Sequence, residues 1–125
     1  NVQVDDANLG RLRSLIFAVQ IGPTYGSGFK VCPDADPTDG LFDICYSAGS
    51  IPRGVALPLF LRAKNGGHVK SRLIHLLRGE RLVLDFEDDD YPIQADGEQI
   101  RARKATVTVL PGVLTVLKPR QNVTK

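Results

Sequence analysis

The stretch QADGEQI, residues 94–100, sets a carboxylate directly behind an Asp-Gly pair. Asp-Gly between residues that can form strands marks a tight hairpin turn, because both turn positions need positive φ. Glu98 then opens the return strand, aimed by the turn. A general base has to be held in this way, within hydrogen-bond reach of the proton it takes. On spacing alone the triplet reads as a plain turn with an incidental glutamate.

A second chemical candidate is PDADPTDG, residues 33–40. Its acids invite comparison with a calcium loop. The EF-hand register needs Gly at position 6 and Glu at position 12. Counted from Asp34, those positions are Asp39 and Cys45, so an EF-hand is excluded. A looser site remains. Asp36 and Asp39, three apart in a turn-rich loop, can offer oxygens with nearby carbonyls to a hard cation such as Mg²⁺. The plainer reading is that both aspartates bond their own backbone. GPTYGSG, residues 22–28, lacks the lysine of a phosphate-binding loop and precedes a strand pattern, so a tight bend is expected there. His68 and His75 have no marked nucleophile or paired acid beside them and read as structural. Cys32 and Cys45 lie in apolar runs, FKVCP and FDICY, and read as buried strand thiols. They are too few for a disulfide scaffold, and a reducing compartment follows.

Most of the patterning that must position these residues has period two. Strands are expected over 15–21, 29–32, 41–47, 73–77, 81–87, 91–95, 99–103, 104–110 and 113–117, with 73–77 paired to 81–87 around Arg78-Gly79-Glu80. In ATVTVL the alternation puts Val107 and Val109 on one face and Thr106 and Thr108 on the other. Residues 51–65 instead read as a short helix, capped by Ser50, with Pro52 in its first turn and Gly66-Gly67 at its end. Pro58 should bend or shorten it. Many short strands with regular turns indicate a β-sandwich or barrel.

The bulk numbers agree with one soluble globular domain spanning 1–125. The chain has 125 residues, 42% hydrophobic and 24% charged. A net charge of +2 is too small to argue for nucleic acid. The charges are segregated: Asp85 to Asp90 hold five acids in six residues, while Arg101, Arg103, Lys104, Lys118 and Arg120 make the far end basic. Both read as solvated surface. Asn122-Val-Thr fits a glycosylation pattern that chance also produces. No run of 18 apolar residues occurs, so no membrane-spanning helix is expected. A basic-then-apolar leader is also missing. The start at Asn1, without Met, reads as part of something longer.

Taken in order, YGSGF (25–29), CPDADPTDGLFDI (32–44), an apolar helix ending in NGGH (65–68), ADGE (95–98) and VTVLPGVLTVLKP (107–119) carry a resemblance. They resemble the C-terminal domain of the diacylglycerol kinase-like lipid kinases. That family includes the soluble bacterial diacylglycerol and lipid kinases and the sphingosine and ceramide kinases. The likeness runs from about residue 12 to residue 119, and the pairing of P-x-A-x-x-x-D-G with D-G-E is its specific part. Such a resemblance implies a mostly β fold, a β-sandwich of about nine strands and one short helix, forming the second domain of a two-domain enzyme. Its partner would be an α/β domain with a G-G-D-G-T motif that binds ATP; that motif does not occur in this chain. By itself the domain should be inactive.

The resemblance further implies transfer of the ATP γ-phosphoryl group to a lipid hydroxyl at a membrane surface, in a cytoplasmic, peripherally bound enzyme. Glu98 matches the proton acceptor. Asp39, Asp36 and the carbonyl of Leu41 match a mainly structural Mg²⁺ site, and catalytic Mg²⁺ would arrive with ATP. Tyr25, Gly26 and Gly28 of the glycine stretch, with Asp96 and Gly97 of the turn, fall at the cleft. The chain departs from the family at Ile21, where Asn is usual, and at Ser27, where a glycine is usual. Two alternatives stay open: a degenerate domain that only binds lipid or a partner, and an NAD kinase-like enzyme of similar architecture.

Overall fold

A computed structural model describes residues 1–26, 28–47 and 49–115. Ser27, Lys118, Arg120, the Asn122 triplet and the end of the expected 113–117 strand lie outside the described residues. Nine strands occur among those described: β1 (Val2–Val4), β2 (Ala7–Gly10), β3 (Phe17–Gln20), β4 (Phe42–Ser47), β5 (Ile74–Gly79), β6 (Arg81–Asp85), β7 (Tyr91–Ala95), β8 (Glu98–Ala102) and β9 (Lys104–Thr108). One α-helix, α1 (Arg53–Arg62), and a 3₁₀ turn, Gly67–Lys70, separate β4 from β5. The strands form a four-stranded sheet ordered β2-β1-β6-β9, a three-stranded sheet ordered β3-β4-β5, and the separate hairpin β7-β8.

The two larger sheets enclose the main core. Val2 and Val4 of β1 and Leu82 of β6 meet Phe42 and Ile44 of β4. Burial of this apolar surface drives the sheets together. On the other side of β4, Cys45 packs with Ile74, Cys32 and Ala35 beneath Leu59 of α1. Nearly all of β4 is therefore buried, and FDICYS reads as a continuous apolar run for that reason. Burial pushes the Cys32 thiol up to about 12 and the Cys45 thiol up to about 11, which makes both inert at neutral pH.

The mostly β sandwich and its one α-helix agree with the sequence reading. Several elements differ from it. Residues 29–32 form no strand: Tyr25 and Phe29 close a short bridge around the glycines, and Cys32 sits in the turn that follows. Residues 113–115 are not strand either. β1 and β2, unforeseen, pair with each other and, through β1, with β6. In α1 the N-cap position falls to Pro52, without a side-chain cap bond, and the helix ends at Ala63. Gly66, at φ 83°, leads into the 3₁₀ turn instead of capping α1. The helix continues through Pro58.

The largest correction concerns Arg78-Gly79-Glu80. β5 and β6 are not a hairpin; the chain changes sheets between them. Asp5 holds the corner, since its Oδ1 accepts from the backbone N–H groups of Glu80 at 3.0 Å and Arg81 at 2.9 Å. Gly79 lies opposite Phe42 in the ladder. A Cβ there would stand 2.6 Å from Val4 Cγ1 and 3.0 Å from Asp5 Oδ2. Overpacking of that kind costs typically about 1–3 kcal/mol. Gly79→Ala is thus expected to lower unfolding free energy in urea by about that amount. A loss under about 0.5 kcal/mol, the range of a neutral surface change, would mean that the corner yields freely.

Candidate functional site

Asp96 and Gly97 both have positive φ, 49° and 85°, as a two-residue hairpin turn requires. Glu98 is the first residue of β8, pairs with Ala95 and is exposed. Strand partners share a face and successive residues alternate. Glu98 therefore lies on one face of the hairpin with Tyr91, Ile93, Ile100 and Ala102, and Gln94 and Gln99 lie on the other.

The hairpin joins the rest of the chain through polar and aromatic contacts. Tyr25 Oη donates to Gln94 Oε1 at 3.2 Å, so the glycine turn touches the hairpin across 69 residues of sequence. Phe86 stacks on Tyr91 at 4.3 Å between ring centres. Arg103 pairs with Asp89 at 2.6 Å and Asp85 at 3.4 Å, Arg101 pairs with Asp90 at 3.2 Å, and Arg11 pairs with Glu87. Arg103 is held above its usual range by its bonds to Asp89 first and Asp85 second. The acidic run and part of the basic end, both expected as solvated surface, neutralise one another around the base of the hairpin.

The acid loop precedes β4. Asp36 Oδ1 accepts from Thr38 N–H at 2.9 Å and from Thr38 Oγ1 at 2.6 Å, while Asp39 Oδ1 accepts from Leu41 N–H at 2.9 Å. Both aspartates thus bond their own loop. Asp43, buried one strand position further on, pairs with Arg78 at 2.7 Å. Arg78 also donates to the carbonyl of Asp34 at 2.8 Å, which fastens the loop to the sheet. The hydrogen bond to Asp43 and its charge raise the guanidinium's proton affinity. A hard cation takes oxygen ligands, and Mg²⁺ retains several waters beside one or two carboxylates. Asp36, Asp39 and the Leu41 carbonyl have suitable chemistry for that. Among the described residues no three His, Cys, Asp or Glu side chains converge into a cage.

An open concavity of about 2320 Å³ is bordered by Tyr25, Gly26, Asp39, Leu41, Asp96 and Gly97. Asp36, Gly28 and Glu98 do not border it. Ile21 lines it and is half-exposed. Of the expected site residues, the structure gathers the glycine turn, the acid loop and the hairpin turn along one opening, with Glu98 just past its edge. Gln94, Arg78 and Thr38 were not foreseen. Their partnerships with Tyr25, Asp43 and Asp36 leave no spacing signal, apart from the short Asp36–Thr38 turn. His68 is structural, its Nε2 lying 2.9 Å from the Val31 carbonyl, and His75 stacks on Tyr46.

The chain is similar to known proteins over most of its length. A family model described as the YegS C-terminal NAD kinase beta sandwich-like domain matches residues 1–118. A diacylglycerol kinase of Mycobacterium tuberculosis strain CDC 1551 / Oshkosh is 31% identical over 131 aligned positions, covering 91% of this chain and 41% of the relative. The diacylglycerol kinase of strain ATCC 25618 / H37Rv gives the same values. The chain spans about two-fifths of the length of these relatives.

Loss of a single exposed hydrogen bond typically removes about 0.5–1.5 kcal/mol. Tyr25→Phe is expected to speed amide exchange across 91–102 roughly two- to tenfold and to leave the two larger sheets unchanged. Unchanged exchange in the hairpin would show that the Tyr25–Gln94 bond does not hold it.

Proposed function

The chain belongs to the YegS C-terminal NAD kinase beta sandwich-like domain family, and from that premise we propose that it is the β-sandwich half of a lipid kinase. The reaction is transfer of the γ-phosphoryl group of ATP to a lipid hydroxyl, such as that of diacylglycerol, with Glu98 taking the hydroxyl proton. The relatives' name, diacylglycerol kinase, supports the choice of acceptor. ATP is bound by a separate α/β domain. One observation carries the reading: Glu98 ends a hairpin face made of Tyr91, Ile93, Ile100 and Ala102. Tyr91 and Ile100 are 42% and 49% exposed. A carboxylate at the end of an exposed apolar strip matches a molecule with an apolar body and one reactive hydroxyl.

Phosphoryl transfer asks the protein mainly for positioning and charge stabilisation. Asp96 and Gly97 aim Glu98, while Tyr25, through Gln94, fixes the hairpin against the glycine turn. Tyr25, Gly26 and Gly28 shape the neighbouring wall. Closing a site over a carboxylate strips its water and makes it a stronger base. Mg²⁺ at Asp36, Asp39 and the Leu41 carbonyl would supply positive charge that neutralises the loop and orders this wall. The enzyme works at the membrane surface from the cytoplasmic side. No helix among the described residues is long and apolar enough to cross a membrane.

General acid–base groups contribute typically 10²- to 10⁴-fold to rate. In the full-length protein, Glu98→Gln should lower kcat for the lipid acceptor by roughly that factor while ATP affinity and thermal midpoint stay near wild type. Near-normal turnover would remove Glu98 from the chemistry.

A further inference from the structure

Helix α1 presents an unusual surface. Leu59 and Ala63 turn inward and are buried. At 3.6 residues per turn, Gly54, Leu57, Pro58 and Leu61 lie on the arc facing away from them. That outward arc carries no polar side chain. Leu57 and Leu61 are each 62% exposed; Phe60, at 50%, lies past one edge of the arc and Val55, at 44%, past the other. A surface helix normally turns charge outward, and a helix apolar all round normally sits inside a core or against lipid.

The charges carried by the helix and the residues around it in sequence all have one sign. On the helix wheel Arg53 and Lys64 fall along one flank of the arc and Arg62 along the other. From residue 51 to residue 72 the chain holds five Lys or Arg residues and no Asp or Glu. Among the described residues none of these five cations takes part in an ion pair. Near the hairpin, Asp85, Glu87, Asp89 and Asp90 are paired with arginines. An apolar strip between unpaired cations complements an anionic lipid surface: leucines enter the acyl boundary while long basic side chains reach the headgroups.

The geometry points to α1 as a docking surface for anionic membrane, with Leu57 and Leu61 inserted and Arg53, Arg62 and Lys64 on headgroup phosphates. This deepens the lipid-kinase reading and rests on it for the meaning of docking, though binding is measured without turnover. The helix also borders the concavity, through Ala56, Leu59 and Phe60, and Phe60 touches Phe29 of the glycine turn at 4.9 Å between ring centres. Docking by α1 brings the opening that reaches Asp96 and Gly97 beside the lipid surface.

The test uses the full-length protein and sedimentation with vesicles of mixed phosphatidylglycerol and phosphatidylcholine, against phosphatidylcholine alone. Wild type should prefer the anionic vesicles and release them as salt rises. Each basic residue near such a surface contributes about 1 kcal/mol. Combined R53Q, R62Q and K64Q should therefore weaken binding roughly a hundredfold. Combined L57S and L61S should weaken it roughly tenfold or more. All five positions are exposed, so an unchanged thermal midpoint checks that the variants fold. Leu57→Cys reports occupancy as the labelling gained over wild type, since Cys32 and Cys45 are buried and inert. Rapid maleimide labelling in solution and protection by anionic vesicles support docking. Slow labelling without vesicles would give the face to another protein surface and overturn the inference, as would wild-type binding by both combined variants. Phosphorylation of a micellar acceptor without vesicle binding would sink this inference alone; vesicle binding without phosphorylation would sink the kinase reading alone.

Discussion

The arrangement depends on one strand, β4, being buried from both sides. Phe42 and Ile44 are enclosed by the β2-β1-β6-β9 sheet, and Cys45 is enclosed by α1. The strand also carries a carboxylate, Asp43, at 7% exposure. A buried charge is tolerated only when paired and hydrogen-bonded. Arg78, directly across the ladder on β5, supplies that partner and uses its remaining fork on the Asp34 carbonyl. The position of the acid loop is thus a consequence of neutralising Asp43. The loop that would hold a cation is tied to the hydrophobic core through one guanidinium.

The hairpin with Glu98 is held on different terms. Among the described residues it forms no ladder with either larger sheet. Among the described residues its attachments are ion pairs among exposed Arg101, Arg103, Asp85, Asp89 and Asp90, a Phe–Tyr stack, a tyrosine hydroxyl and, at its base, the Phe86 N–H bond to the Arg103 carbonyl. Exposed ion pairs are individually worth about 0–1 kcal/mol. Under the proposed kinase reading, Glu98 on such an element would be free to change its orientation on substrate binding without cost to the core. That would suit the proposed lipid acceptor.

Local chemistry was the legible part of the sequence. Asp96-Gly97 announced a turn because few residue pairs accept two positive φ values, and the turn is as expected. The helix over 51–65 was found from its flanking Pro52 and Gly66-Gly67, and the strands near 41–47, 81–87 and 91–95 from short apolar runs between turn residues. The pairing of strands was less legible. Arg78-Gly79-Glu80 looks like any hairpin turn, and only Asp5, 75 residues away, shows that the chain changes sheets there. β1 was missed because three residues, VQV, are too short for a pattern. The strand expected at 29–32 failed because Phe29 is used to close the glycine turn and Cys32 to fill the space under α1. The separate chemical candidates acquired meaning from their order along the chain, and their contacts, such as Tyr25 with Gln94, could be seen only in the fold.

The proposal of a lipid hydroxyl as acceptor rests on a carboxylate at the end of an apolar hairpin face and on membership of this domain family. The most direct measurement supplies the full-length protein with γ-³²P-labelled ATP and Mg²⁺, together with diacylglycerol, sphingosine and NAD as competing acceptors. Label in a lipid phosphate ester, most of it on diacylglycerol, is the predicted result. Label in NADP with none in lipid, or no transfer to any acceptor by folded protein that binds ATP, would contradict it.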